Sequence, residues 1–138
     1  MILNETALDA FARGLAADLG PGRTVALHGA LGAGKTTLVR AIVRALHGSD
    51  AAVSSPTFVF RNHYEGKPPI EHLDLYRLES PAELAELGLE DAFTREALVL
   101  VEWPERAPRL LPPDALIVEI VGAGSGPRTI YVGERTIG

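Results

Sequence analysis

With 138 residues, an apolar fraction of 46% and a charged fraction of 22%, the chain has the make-up of one globular domain with a proper core. It has no cysteine, which excludes disulfides, thiolate catalysis and cysteine-ligated zinc and makes a cytoplasmic home the default. The formal net charge of −5 argues against autonomous nucleic-acid binding; no apolar run approaches the roughly 18 residues that span a bilayer, and Met1 to Thr6 lacks the basic stretch of a secretion signal.

Residues 4–19 predict an amphipathic helix. Asn4 or Thr6 caps it, Leu8, Phe11, Leu15 and Leu19 form its apolar stripe, and Gly20-Pro21-Gly22 stops it. Thr24 to His28 is a short apolar run that predicts a strand. It leads into Gly29-Ala30-Leu31-Gly32-Ala33-Gly34-Lys35-Thr36, which fits G-x-x-x-x-G-K-[ST], the phosphate-binding P-loop pattern. Thr37 to Leu46 is free of Gly and Pro, and Leu38, Ile42 and Leu46 recur at helical spacing with Val39 and Val43 beside them. The pattern therefore stands between a strand and a helix, as its chemistry requires.

That chemistry follows from the residue types. Glycines let the backbone approach a polyphosphate and turn its N–H groups toward the oxygens. The helix N-terminus adds partial positive charge at the same point. Lys35 is placed to reach the β- and γ-phosphates, and the Thr36 hydroxyl to bind Mg²⁺, which takes oxygen ligands and keeps several waters.

Ser49 to Val53 is a polar, alanine-rich connector. In Ser54-Ser55-Pro56-Thr57-Phe58, Pro56 keeps Ser55 out of the helical region. The segment is either a lead-in to a strand or a loop whose Ser55 and Thr57 sense a γ-phosphate or its metal ion. Phe58 to Tyr64 and Ile70 to Tyr76, separated by a turn at Glu65-Gly66-Lys67, predict a β-hairpin. In its second arm Ile70, His72, Asp74 and Tyr76 share one face. His72 and Asp74 thus point the same way, as a solvated face or as a polar cluster aimed at a site. Ser80-Pro81-Ala82-Glu83 starts a short helix that ends at Gly88, and Leu89 to Phe93 forms another turn.

Ala97 to Val101 is a continuous apolar run ending in Glu102, the pattern of a buried parallel strand. Ligands bind at the carboxyl ends of such strands, and an acidic residue there fits the Walker B role of holding Mg²⁺ or orienting water. Trp103, the only tryptophan, is a core anchor, part of the site rim or a partner contact. Ala115 to Val121 predicts a further strand and Arg128 to Val132 a closing antiparallel one. Arg128 stands at its start, as a surface residue or as a nucleotide contact. Charge is uneven: Glu79 to Glu105 holds eight acidic residues and one basic, a solvated face or a docking face for a partner protein.

Taken in order, these motifs resemble the bacterial TsaE family (formerly YjeE), small P-loop ATPases required to make N6-threonylcarbamoyladenosine (t6A) on tRNA. The resemblance runs from the first helix to Arg128. It is carried by Gly29 to Leu38, by Ser55-Pro56-Thr57-Phe58, by His72-Leu73-Asp74-Leu75-Tyr76-Arg77-Leu78 and by Leu100-Val101-Glu102-Trp103-Pro104. It implies an α/β, single-domain P-loop NTPase fold over residues 1–138, with a central mixed sheet and helices on both faces. It also implies roles. The loop residues Gly29, Leu31, Gly32, Ala33, Gly34, Lys35, Thr36 and Thr37 hold ATP or ADP, with Arg128 near the nucleotide and Thr6 where the first helix approaches the base. Thr36 and Glu102 hold Mg²⁺. Lys35, Asp74 and Glu102 are the catalytic set, with Asp74 positioning or activating water or reaching the metal through water. Ser55 and Thr57 belong to a switch-like loop, His72 and Tyr76 to the surrounding motif, and Trp103 becomes a site residue.

The chain departs from the family at Ala30, where an aspartate is usual, so turnover, nucleotide affinity or loop conformation is expected to differ. The resemblance further implies work with two proteins, TsaD and TsaB, with tRNA engaged only through that complex and no membrane. TsaD transfers the threonylcarbamoyl group to the tRNA, and ATP hydrolysis resets the machine. Two other readings stay open. A small-molecule kinase would need an arginine-bearing lid, for which Arg106 and Arg109 lie in a proline-broken segment. A nucleotide-dependent binding module would show negligible turnover.

Overall fold

The apolar runs of the sequence become the strands of a seven-stranded mixed sheet. The computed structural model describes residues 2–3, 5–48, 60–80, 82–122 and 126–134; Ser55 and Thr57 lie outside them. The strands are β1 (Ile2–Leu3), β2 (Thr24–Gly29), β3 (Arg61–Tyr64), β4 (Ile70–Asp74), β5 (Leu98–Glu102), β6 (Leu116–Val121) and β7 (Arg128–Glu134), in spatial order β1-β7-β6-β2-β5-β4-β3. The inner four, β6, β2, β5 and β4, run parallel, and β7 and β3 flank them antiparallel. The helices are α1 (Glu5–Ala17), α2 (Lys35–His47) and α3 (Ala82–Leu87).

Alternation along the strands builds two cores. Val25, Leu27, Ile70, Leu98, Leu100, Val118 and Ile120 face α1 and α2, meeting Leu8 and Ala12 from the first and Leu38, Val39, Ile42 and Val43 from the second. Leu73, Val99 and Val101 face the other way, under Leu75, Leu78, Leu89, Ala92 and Ala107 with Leu84 of α3. Every residue of β5 is buried, which is why that strand reads as an unbroken apolar run. The chain leaves β2 toward β4 on one side of the sheet and later returns to place β6 on the other. The strand order therefore switches at the carboxyl end of β2, the crevice where open α/β sheets bind ligands.

Two elements differ from expectation. β4 ends at Asp74 rather than Tyr76, because the Asp74 carboxylate accepts the Tyr76 N–H at 3.1 Å and the Leu78 N–H closes a turn on the Leu75 carbonyl. This turn takes Tyr76 out of the sheet. β1 was not foreseen: two residues pairing with Arg128 and Thr129 are too few to show a period.

On the outer hairpin, Glu71 of β4 is buried and held by three donors. Arg61 Nε and Nη2 lie 2.7 and 2.9 Å from its two oxygens, and His63 Nδ1 lies 2.7 Å away. The other His63 nitrogen meets Glu65 at 2.7 Å. Both ring nitrogens thus face carboxylates, first Glu71 and then Glu65, and these hold the His63 pKa above its ordinary value. For a raised histidine the stabilisation is fully present below the unfolded value of about 6.5 and is lost as pH rises through the folded one. Glu71 stays ionised through this window: burial alone would raise its pKa, but Arg61 and His63 bring it below the ordinary range. His63→Gln is therefore expected to lower Tm between about pH 5 and 6.5, with the gap to the parent closing at alkaline pH. Thermal melts across pH check this, and a gap that widens with pH would refute it.

Candidate functional site

The segment between β2 and α2 is shaped by backbone. Gly29 ends β2 against β6, and a Cβ there would lie 2.9 Å from the Ile120 carbonyl oxygen, closer than real side chains come. Gly34 at φ 108° turns the chain into α2, a conformation only glycine adopts without strain. The Ala33 N–H closes a turn on the Ala30 carbonyl at 3.0 Å. Ala30 itself is exposed.

Beside this loop lies a cleft of about 280 Å³, walled by Leu31 to Thr37 on one side and by Asp74, Tyr76, Glu102 and Trp103 on the other. The structure thus brings together most of the residues that the sequence singled out. A larger groove of about 780 Å³, at the opposite ends of the parallel strands, holds Arg109, the lid candidate of the kinase reading, and no residue of the expected nucleotide site.

Across the cleft the Thr36 hydroxyl donates to Glu102, 2.9 Å from Oε1 and 3.1 Å from Oε2. Glu102 is 2% exposed, and its Oε2 also meets His72 Nε2 at 2.5 Å. His72 is fully buried, so the solvated-face reading is corrected: His72 points into the protein and Asp74, on the same face, lines the cleft. Asp74 is half-buried beside them. Burial pushes its carboxyl above the ordinary range, against the hydrogen bond from the Tyr76 N–H; the neighbouring Glu102 charge adds to the rise, and His72 and Lys35 oppose it.

Lys35 opens α2 and is 5% exposed. Its Nζ donates to the Gly29 carbonyl and lies 3.4 Å from the centre of the Trp103 ring. Burial lowers its pKa, while Glu102, Glu105 and Asp74 pull the other way. Trp103 adopts φ 58°, the left-handed region that costs a non-glycine residue about 1–2 kcal/mol. This conformation turns the ring back over Lys35, with the Tyr76 ring packed against it at 4.9 Å and tilted by 43°. Trp103 thus belongs to the cleft wall as well as packing at the edge of the second core. His28 Nδ1 and a Glu105 carboxylate oxygen, 2.9 Å apart, tie the turn after Trp103 to β2.

Arg128 was open between surface and nucleotide contact; two of its bonds go to the loop, and Nη1 donates to the Gly126 carbonyl. Nε donates to the Ala33 carbonyl at 2.7 Å and Nη2 to the Gly32 carbonyl at 3.3 Å. It braces the loop from β7, a contact across 95 positions that no local pattern announces. Thr6 stands in the first turn of α1, and its side chain lies outside the described part. Among the described residues no group of three or more His, Asp or Glu side chains is placed to hold a metal ion.

Comparison with known proteins places this geometry in context. The sequence matches the family model for threonylcarbamoyl adenosine biosynthesis protein TsaE over residues 2–130. It is 43% identical over 113 residues to the tRNA threonylcarbamoyladenosine biosynthesis protein TsaE of Rickettsia bellii, covering 80% of this chain and 76% of that protein. It is 36% identical over 129 residues to the protein of the same name from Bacillus subtilis, covering 93% and 80%. Against the TsaE of Rickettsia conorii the coverage of the relative falls to 61%. The crystal structure of Bacillus subtilis YdiB superposes with a TM-score of 0.76 at 29% identity, over 98% of this chain and 85% of that one.

The brace yields a prediction. Arg128→Met releases the Gly32 and Ala33 carbonyls and should speed amide exchange across residues 31–35 while leaving β2 protected. Stability should fall by about 1 kcal/mol, since the guanidinium is partly exposed. Exchange at the loop that matches the parent would remove Arg128 from this role.

Proposed function

Since the chain belongs to the TsaE family of threonylcarbamoyl adenosine biosynthesis proteins, we propose that it is the ATP-hydrolysing accessory subunit of the t6A-modifying machinery, acting in the cytoplasm with TsaB and TsaD. The observation that carries this reading is the Thr36–Glu102 contact. It joins the first turn of the helix after the P-loop to the carboxyl end of a parallel strand, across a cleft of nucleotide-binding type.

The donor set fits Mg²⁺. A threonine hydroxyl and a carboxylate are hard oxygen ligands, and a cation held by two of them completes its shell with water and substrate phosphates, in keeping with the absence of a larger acidic cage among the described residues. Thr36 and Glu102 would hold it, and when bound it neutralises charge developing on the phosphates. The rest falls to the chain's own residues. The amides of Leu31 to Thr37 and the N-terminus of α2 receive the polyphosphate. Lys35 leaves the Gly29 carbonyl for the phosphate oxygens. Asp74, half-buried and facing the cleft, orients the attacking water and takes its proton as the bond between the γ-phosphorus and its bridging oxygen breaks, giving ADP and phosphate.

Lys35 is the sole cation among the described residues that line the cleft. Arg128 is engaged with the loop carbonyls, and the Arg106 guanidinium lies 5.9 Å from the Tyr76 ring. Among the described residues no arginine lines the cleft, which supports slow turnover alone and stimulation by partners. The tRNA is reached only through the complex, in line with the net charge of −5.

The test is the ATPase rate of the protein alone and with TsaB, TsaD and tRNA. Stimulation is expected. Lys35→Ala and Glu102→Ala should each lower the stimulated rate on the order of 10²-fold or more. A rate already maximal without partners would count against the accessory role, and a fully active Glu102→Ala would remove that residue from the metal site.

A further inference from the structure

His72 is 0% exposed and its Nδ1 is buried with no hydrogen-bond partner among the described residues. Its other nitrogen, Nε2, lies 2.5 Å from Glu102 Oε2. A carboxylate only accepts, so Nε2 carries the proton. An imidazole kept for packing alone would be an expensive choice, since an aliphatic side chain fills the space without burying an unpartnered nitrogen. Among the described residues the single hydrogen bond that this ring makes goes to the carboxylate that Thr36 also holds.

We propose that His72 is the positioning residue for Glu102. It fixes the carboxylate so that the lone pairs left by Thr36 and His72 face the cleft and its cation; this rests on the nucleotide-site reading given above. β4 makes the arrangement possible. His72 pairs with Leu100 and Asp74 with Glu102 across β4 and β5, and the period of two puts both polar side chains on one face. One strand therefore aims the residue that orients water and the residue that orients the metal-holding carboxylate. Outer partners of metal ligands act this way generally, and their loss weakens metal binding by about 10–100-fold.

The experiment uses the full chain saturated with ADP, with Mn²⁺ as a paramagnetic stand-in for Mg²⁺. Mn²⁺ affinity is read by electron paramagnetic resonance, and ADP affinity in EDTA by calorimetry. His72→Leu should weaken Mn²⁺ about 10–100-fold and leave metal-free ADP affinity little changed. His72→Gln, whose amide nitrogen reaches the place of Nε2, should recover most of the loss. His72→Asn, which reaches only the place of Nδ1, should not. Undiminished Mn²⁺ affinity in His72→Leu overturns the proposal while leaving the nucleotide site standing. Equal losses in all three variants, with ADP affinity falling in parallel, also overturn it, because they mark a packing defect. A parent protein that binds no ADP removes both readings together.

Discussion

The structure turns on a carboxylate that has been taken out of water. Moving such a charge into the interior costs several kcal/mol unless donors meet it, and at 2% exposure Glu102 has no solvent to fall back on. Its partners come from two different elements, Thr36 from α2 and His72 from β4. The register of β5 with both neighbours, Leu27 opposite Glu102 on one side and Asp74 on the other, follows the same demand. Slipping either pairing by one residue would turn a side chain of the site to the wrong face of the sheet. Sheet register and site geometry are here one constraint.

Much of this was legible beforehand because it is local. The P-loop octapeptide, the unbroken apolar run closing on Glu102 and the alternation of Ile70, His72 and Asp74 each carry their meaning within a few residues, and the fold they imply is the fold observed. What escaped was non-local or too short. Arg128 meets the loop from far along the chain, and the Arg61–Glu71–His63 cluster forms only when two strands pair in a particular register. β1 contributes two residues, and a period cannot be read from two. Tyr76 misled because alternation continues in the sequence past the point where a backbone turn at Asp74 ends the strand. Trp103 was ambiguous for a different reason: its backbone conformation, which no tryptophan advertises, decides where the ring goes.

Ala30 is instructive about where a binding loop keeps its information. Family resemblance leads one to expect an aspartate there, yet the loop is shaped without it. The turn is made by the Ala33 N–H and the Ala30 carbonyl, the entry to α2 by Gly34, and the close approach to β6 by Gly29. Main-chain geometry carries the cradle, and an exposed side chain at position 30 stands outside it. The side chains to which the proposed chemistry falls stand instead on rigid elements, on the ends of β4 and β5 and the first turn of α2.

If the loop binds a polyphosphate as proposed above, the position of Lys35 has a consequence for what it can discriminate. Its ammonium is already solvated from within, by a carbonyl oxygen of the loop and by the face of an indole ring. Any anion that enters must outcompete these internal partners. A small, singly charged anion offers about what the lysine surrenders, so the exchange gains little. A polyphosphate presents several charged oxygens to the lysine and the loop amides together, and the exchange runs strongly its way. On the nucleotide reading proposed above, the resting contact would work as a threshold, screening by charge density before any part of a base or sugar is read.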